Sequence, residues 1–110
     1  MRYSLAVALV LVLFAATSTA TAGDPEAGKR KAAEKYCVSC HGIGGISNLP
    51  KWPNLAGQHE TYLKLALRAY RAQDREGTSA ASMYNPFVLN LTDEDIDDLA
   101  AYYASLEWNP

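Results

Sequence analysis

The sequence Cys37-Val38-Ser39-Cys40-His41 constrains this chain more than any other stretch. Two thiols three residues apart, followed at once by a histidine, form the pattern of covalent c-type haem attachment. Each thiol adds to one vinyl group of the porphyrin, and the two vinyl groups lie a fixed distance apart. The short spacing spans that distance and leaves His41 as the proximal ligand of the iron. We therefore predict one haem c, covalently attached through Cys37 and Cys40.

Three other functions are compatible with the same residues. A redox-active dithiol usually accompanies a βαβ pattern, which this sequence lacks. A structural zinc site needs four ligands, and the chain offers only Cys37, Cys40, His41 and His59. A plain disulfide would leave the histidine without a role. Haem attachment is favoured over all three.

The N-terminal region has the composition of a secretory signal peptide. Arg2 supplies a positive charge, residues 5–16 are almost entirely apolar, and Ala20-Thr21-Ala22 is a small-x-small cleavage pattern. The alternative is an uncleaved membrane anchor, for which the apolar stretch is short. We predict that residues 1–22 are removed on export to the periplasm, with no stable membrane insertion afterwards. Residues 23–110 then form one small domain, whose core a buried haem would extend.

Apolar periodicity and capping residues predict an all-α fold with three main helices. The first covers 24–36, where Asp24-Pro25 has the form of a helix start. The second covers 59–75 and is amphipathic. The third begins at Thr92, with Asp95 at the capping-box position. Its predicted buried face comprises Ile96, Leu99, Ala100 and Tyr103.

Two loops, 42–57 and 77–90, carry most of the candidate haem contacts because glycine and proline interrupt any helix there. A backbone carbonyl in 50–53 is expected to accept a hydrogen bond from His41 and fix its tautomer. Several of the candidate pocket residues could instead be ordinary core, and Trp52 or Tyr62 could bind a haem propionate. The candidates are Leu49, Trp52, Leu55, Tyr62, Phe87, Val88 and Leu91.

The second axial position of the iron decides between a carrier and an enzyme. Methionine sulfur stabilises ferrous iron and is the ligand of many electron-transfer cytochromes. Met1 would leave with the signal peptide, so Met83 is the one thioether available, and we favour it. His59 is the competing ligand, and an open position would permit peroxide or small-gas chemistry.

Basic and acidic residues are separated along the chain. Residues 23–75 hold nine basic and five acidic side chains, whereas residues 76–110 hold seven acidic and no basic ones. This asymmetry could orient the molecule toward a partner, or it could reflect two solvated helix faces of opposite sign. Nothing in the sequence suggests nucleic-acid binding, because the total charge is acidic and no basic run with interleaved aromatic residues occurs beyond Lys29-Arg30-Lys31.

With these residues in place, the chain resembles the class I cytochromes c of the small bacterial periplasmic monohaem type. The shared features span residues 24–106 in order. They are Cys37-Val38-Ser39-Cys40-His41-Gly42, Pro53-Asn54-Leu55-Ala56-Gly57-Gln58, Tyr62-Leu63, Met83, Leu91-Thr92-Asp93-Glu94-Asp95-Ile96 and Leu99-Ala100-Ala101-Tyr102-Tyr103.

The resemblance implies three main helices wrapped around one haem. Gly28 of the first helix would contact Tyr102 or Tyr103 of the last. The Pro53 carbonyl would accept from the proximal histidine, and Met83 would be the distal ligand. The implied function is one-electron transfer between redox partner proteins by a monomer or weak dimer that is not an enzyme. The alternatives are an electron-transfer subunit of a dehydrogenase complex, and a haem enzyme or gas sensor with an open sixth site.

Overall fold

The computed structural model describes residues 10–14, 22–73 and 87–108. Within these ranges the chain forms four α-helices and one 3₁₀ turn, and no β-strand, so the predicted all-α class is confirmed. The three main helices are the predicted ones. In chain order the elements are α1 (Pro25–Glu34), α2 (Cys37–His41), the 3₁₀ turn (Ile43–Gly45), α3 (Glu60–Arg71) and α4 (Asp93–Ser105).

Two predicted helices end earlier than expected because a residue near each end adopts a left-handed conformation. Tyr36 has φ +63°, so α1 stops at Glu34 and the chain turns directly into α2. Gln73 has φ +61°, just beyond the end of α3. Left-handed backbone cannot continue a right-handed helix. The sequence carried no glycine at either position to signal the break.

The helix starts agree with the predicted caps. The Asp24 carboxylate accepts a hydrogen bond from the Glu26 N–H at 3.0 Å, with Pro25 at the first helical position. Thr92 and Asp95 form a reciprocal capping box at the start of α4, with both hydrogen bonds at 3.0 Å. These caps satisfy backbone donors that the first helical turn leaves unpaired.

Helices α1 and α4 cross at Gly28. A Cβ atom on Gly28 would collide with the backbone carbonyl of Asp98 and would lie 2.6 Å from the Tyr102 Cβ. The crossing partner is therefore Tyr102 rather than Tyr103, although both side chains belong to the core. The lack of a side chain at Gly28 lets the two backbones approach.

The core lies mainly on α4, and its predicted buried face is confirmed. One residue each of α1, α3 and the segment before α4 completes it. The buried members are Ala32, Leu63, Leu91, Ile96, Leu99, Ala100, Tyr102 and Tyr103. In the part of the chain that the structure describes, no helix combines the length and apolarity needed to cross a membrane.

Candidate haem-binding site

Helix α2 carries the attachment motif and is bounded by two left-handed residues, Tyr36 at φ +63° and Gly42 at φ +81°. Residues three apart are neighbours on a helix surface, so the single helical turn holds Cys37 and Cys40 on the same side. Both cysteines are half-buried and neither is in a disulfide. The turn thus presents two unpaired sulfur atoms together, as attachment at two points of one group requires.

The protonation state of Cys37 argues against the dithiol alternative. Burial raises the pKa of the Cys37 thiol to about 11. Catalytic dithiols depend on a thiolate and have a lowered thiol pKa. At neutral pH the Cys37 side chain is a protonated thiol in a largely apolar environment, which favours the haem interpretation over thiol exchange.

The His41 ring is held by a backbone carbonyl of the following loop. Its Nδ1 lies 2.8 Å from the Pro53 carbonyl oxygen, as the sequence predicted for this loop. Because a carbonyl can only accept, Nδ1 carries the proton and Nε2 keeps its lone pair for a metal. Burial lowers the pKa of His41, although the Pro53 carbonyl opposes this effect, so the ring is neutral at pH 7.

Ser47 fixes the loop that supplies this carbonyl. The Ser47 hydroxyl donates to the Cys40 carbonyl at 3.1 Å, and the Ser47 N–H donates to the Asn54 side chain at 2.7 Å. The carbonyl of Gly45 accepts from the Leu55 N–H at 2.8 Å. Neither side chain was predicted to hold this loop, because small polar residues in a glycine-rich loop give no specific signal.

Trp52 packs against the imidazole of His41. Its ring meets that of His41 edge to face, with the centroids 5.9 Å apart and the planes at 71°. Together with the Pro53 hydrogen bond, this contact limits rotation of the imidazole about its own axis.

The other candidate pocket residues differ in burial. Leu91 is a full member of the helical core, and Leu55 and Val88 pack against that core while half-buried. Leu49, Tyr62 and Phe87 are each about half exposed, at 49, 47 and 52%. These three side chains are the most exposed of the candidate pocket residues. Met83 lies outside the described residues.

A buried hydroxyl completes the site. Tyr103 Oη is inaccessible to solvent and has no hydrogen-bond partner among the described residues, and the Tyr103 side chain belongs to the cluster against which Cys37 packs. In the described ranges no group of three His, Cys, Asp or Glu side chains could hold a metal ion directly, as structural zinc would need. Two unpaired sulfurs, an oriented Nε2 and an unsatisfied buried hydroxyl fit a covalently attached haem.

Known proteins resemble this chain in sequence and in fold. Residues 25–107 match the family model described as Cytochrome c. The chain is 49% identical over 86 residues to cytochrome c-554(548) of Halomonas halodenitrificans, a match covering 78% of this chain and 100% of that protein. It is 41% identical over 88 residues to cytochrome c4 of Thiocapsa roseopersicina, covering 80% of this chain and 43% of that one.

The similarity extends to solved structures. The crystal structure of reduced recombinant cytochrome c4 from Pseudomonas stutzeri superposes with a TM-score of 0.64 at 38% sequence identity. The match covers 78% of this chain and 47% of that chain. The chain therefore spans about half the length of the cytochrome c4 relatives that it matches, and the whole length of the Halomonas protein.

Proposed function

The chain belongs to the cytochrome c family, with haem c bound through Cys37 and Cys40, and from this premise we propose that it is a periplasmic one-electron carrier whose iron is ligated by His41 and Met83. When bound, haem iron accepts and releases one electron. The observation that carries the proposal is the 2.8 Å hydrogen bond between His41 Nδ1 and the Pro53 carbonyl, which leaves Nε2 oriented and unprotonated. A ligand held in this way need not rearrange when the charge on its metal changes.

Two features support Met83 as the sixth ligand. It is the one thioether that remains after loss of Met1. Arg71 also joins the two sides of the segment that contains Met83, because its guanidinium donates to the Leu91 carbonyl at 3.0 Å and to the Asp93 carboxylate at 2.7 Å. The competing His59 precedes α3 with an exposed side chain, which favours a role outside the iron site.

Export to the periplasm is supported by the N-terminal region. Residues 10–14 lie within the predicted apolar stretch of the signal peptide, and their side chains are 67–91% exposed. In the part of the chain that the structure describes, these five consecutive apolar residues are exposed rather than packed in the core, and an export signal requires such an apolar stretch. We propose cleavage after Ala22, so that residues 23–110 are the working domain.

The partners we propose are redox proteins that donate and accept the electron, with the chain as a monomer or weak dimer and without a substrate of its own. The relatives named above as cytochromes support an electron carrier rather than an enzyme.

The test is an optical spectrum of the exported protein in both oxidation states, recorded for wild type, Met83→Ala and His59→Ala. We expect covalent haem in all three proteins. Met83→Ala should lose the sulfur-to-iron charge-transfer absorption, acquire carbon monoxide binding in the reduced state and have a lower potential. His59→Ala should match wild type because its side chain is exposed.

Other results would overturn parts of this proposal. Protein purified without covalent haem from a host competent in cytochrome maturation would remove the haem site. Carbon monoxide binding by the wild-type protein at neutral pH would support an enzyme or gas sensor. Elution from the native host in a stable complex with a dehydrogenase would replace the free carrier with an electron-transfer subunit.

A further inference from the structure

Tyr36 has a backbone conformation that its residue type does not favour. It is left-handed, at φ +63° and ψ +16°, immediately before the first cysteine of the attachment motif. A bulky residue rarely adopts this conformation, because its Cβ crowds the following carbonyl. Most other positive-φ positions among the described residues are glycines, namely Gly42, Gly44, Gly45 and Gly57. The reason for a tyrosine at position 36 must therefore lie in its side chain.

The Tyr36 side chain contacts Phe87. The two rings meet edge to face, with the centroids 5.7 Å apart and the planes at 69°, a favourable geometry for an aromatic pair. Burial does not explain the tyrosine, because its side chain is 62% exposed and that of Phe87 is 52% exposed. Neither ring belongs to the helical core cluster. The aromatic pair instead joins two segments that are distant in the sequence.

The first of these segments is the attachment turn, and the second follows the proposed sixth ligand. The Tyr36 carbonyl accepts from the Ser39 N–H at 3.2 Å at the start of the turn that holds both cysteines. Phe87 is four residues after Met83 in the sequence, so the chain between them reaches at most about 14 Å. After Phe87 the next fully buried residue is Leu91. Without the ring contact, the nearest fixed point beyond Met83 would move from Phe87 toward Leu91.

We propose that Tyr36 is a positioning residue for the sixth ligand, acting through Phe87 to hold Met83 at the haem iron. The inference rests on the Met83 ligation of the proposed function. A tethered ligand competes with free ligands through its effective concentration, which falls with about the −3/2 power of tether length. Moving the anchor from Phe87 to Leu91 lengthens the tether from four residues to eight. The effective concentration of the Met83 sulfur at the iron should then fall about threefold.

The experiment measures the affinity of the oxidised, haem-loaded protein for imidazole, which must displace the Met83 sulfur to reach the iron. We expect Tyr36→Gly to raise this affinity about threefold, and Tyr36→Phe, which keeps the ring, to match the wild type. An effect on access alone would change the association and dissociation rates equally and leave the affinity unaltered. In a Phe87→Leu background, Tyr36→Gly should have no further effect on the affinity.

Two control variants separate positioning from a general loss of stability. Gln73→Gly changes the other non-glycine residue with a left-handed backbone in the described ranges, at φ +61°, and Gly28→Ala introduces a collision at the α1–α4 crossing. Both should keep the wild-type affinity for imidazole. If Tyr36→Gly lowers the thermal midpoint but keeps the wild-type affinity, the aromatic pair only supports the fold and the proposal is wrong. An equal rise in affinity in Gly28→Ala would also contradict it.

Failure of this inference is distinguishable from failure of the proposed ligation. A wild-type spectrum without the sulfur-to-iron absorption would overturn the Met83 ligation, and this inference with it, before any change at Tyr36. With that absorption present, an unchanged affinity in Tyr36→Gly contradicts only the role of Tyr36. Should Tyr36→Gly not take up haem, Phe87→Leu removes the same ring contact and should give the same rise in affinity.

Discussion

Gly45 shows how one backbone conformation holds the candidate haem site together. Its φ is +74°, and its carbonyl accepts the N–H groups of Leu55 at 2.8 Å and Ala56 at 3.1 Å. A Cβ atom there would lie 2.8 Å from the Ala56 nitrogen and 3.0 Å from the Tyr103 ring. The position therefore requires glycine both for its left-handed backbone and for the space between the loop and α4.

Gly44 is the matched control, because its φ is +76° and an added Cβ would meet nothing within 4 Å. We expect Gly44→Ala to lose about 1–2 kcal/mol of unfolding free energy from the left-handed backbone alone. Gly45→Ala should lose about 2–5 kcal/mol, since overpacking adds to the same conformational cost. Guanidinium unfolding of the haem-loaded proteins measures both. Equal losses would show that the space at Gly45 is not limiting.

At the scale of elements, helix propensity and helix packing favour different residues at position 28, where α1 crosses α4. Glycine within a helix is unfavourable by about 1 kcal/mol relative to alanine, so helix propensity alone predicts that Gly28→Ala stabilises the protein. At the crossing, however, the added methyl group would collide with the Asp98 carbonyl and Tyr102 Cβ. The two effects have opposite signs, and the backbone collision is the larger.

We therefore expect Gly28→Ala to lower the unfolding free energy by about 2 kcal/mol or more. The exposed residue Ala33 of the same helix calibrates the propensity effect, and Ala33→Gly should cost about 1 kcal/mol. Thermal unfolding monitored by far-ultraviolet circular dichroism distinguishes the outcomes. An increase in the thermal midpoint of Gly28→Ala would mean that the helices do not touch at this point.

Across the whole molecule, basic and acidic side chains that are separated along the chain form ion pairs with one another in the fold. The basic side chains of α3 face the acidic α4, where Lys64 and Arg68 each lie 3.7 Å from the Asp97 carboxylate. In α1, Lys31 reaches two carboxylates of α4, Asp98 at 2.6 Å and Asp95 at 3.0 Å. The separation of charge along the chain thus places opposite signs on helix faces that pack together.

The cluster that Lys31 forms with Asp95 and Asp98 makes the free energy of unfolding depend on pH. Burial would raise the pKa of Asp98, but the Asp24 N–H and Lys31 outweigh it and hold the pKa below its ordinary value. A lowered carboxyl pKa contributes stability above the unfolded pKa of about 4, and the contribution is lost as pH falls through the folded value. The hydrogen bond from Lys31 to Asp98 raises the pKa of Lys31, so its contribution persists until pH exceeds about 10.

We predict that the unfolding free energy of the wild type falls below about pH 4 and that Asp98→Asn flattens this fall. At pH 7 the variant should be less stable by about 1–3 kcal/mol, because one partner of a partly buried cluster loses its charge. Glu60→Gln removes the α3 surface pair with Lys64 at 3.2 Å and should change stability by less than about 0.5 kcal/mol. Urea unfolding at several pH values would test this. If the unfolding free energy of Asp98→Asn falls in acid as steeply as that of the wild type, the pH dependence arises from other groups.

The attachment motif, the helix caps at Asp24 and Thr92, and the buried face of α4 could be read from the sequence. Each depends on residues a few positions apart, so spacing alone specifies the geometry. The breaks at Tyr36 and Gln73 could not be read in this way, because nothing in either side chain requires a left-handed backbone. Ser47 likewise acquires its role only because the loop returns to the end of α2.

What the sequence by itself determined is the chemistry: two thiols, one imidazole and an all-α scaffold to hold them. Only the tertiary structure decided that Ser47 ties its loop to the end of α2, that Tyr102 rather than Tyr103 meets Gly28, and that the Tyr103 hydroxyl is buried with Cys37 packed against its cluster. Local patterns encode which groups a chain possesses and which way a helix faces. The meeting of groups distant in sequence depends on how the helices pack, which is a property of the whole fold.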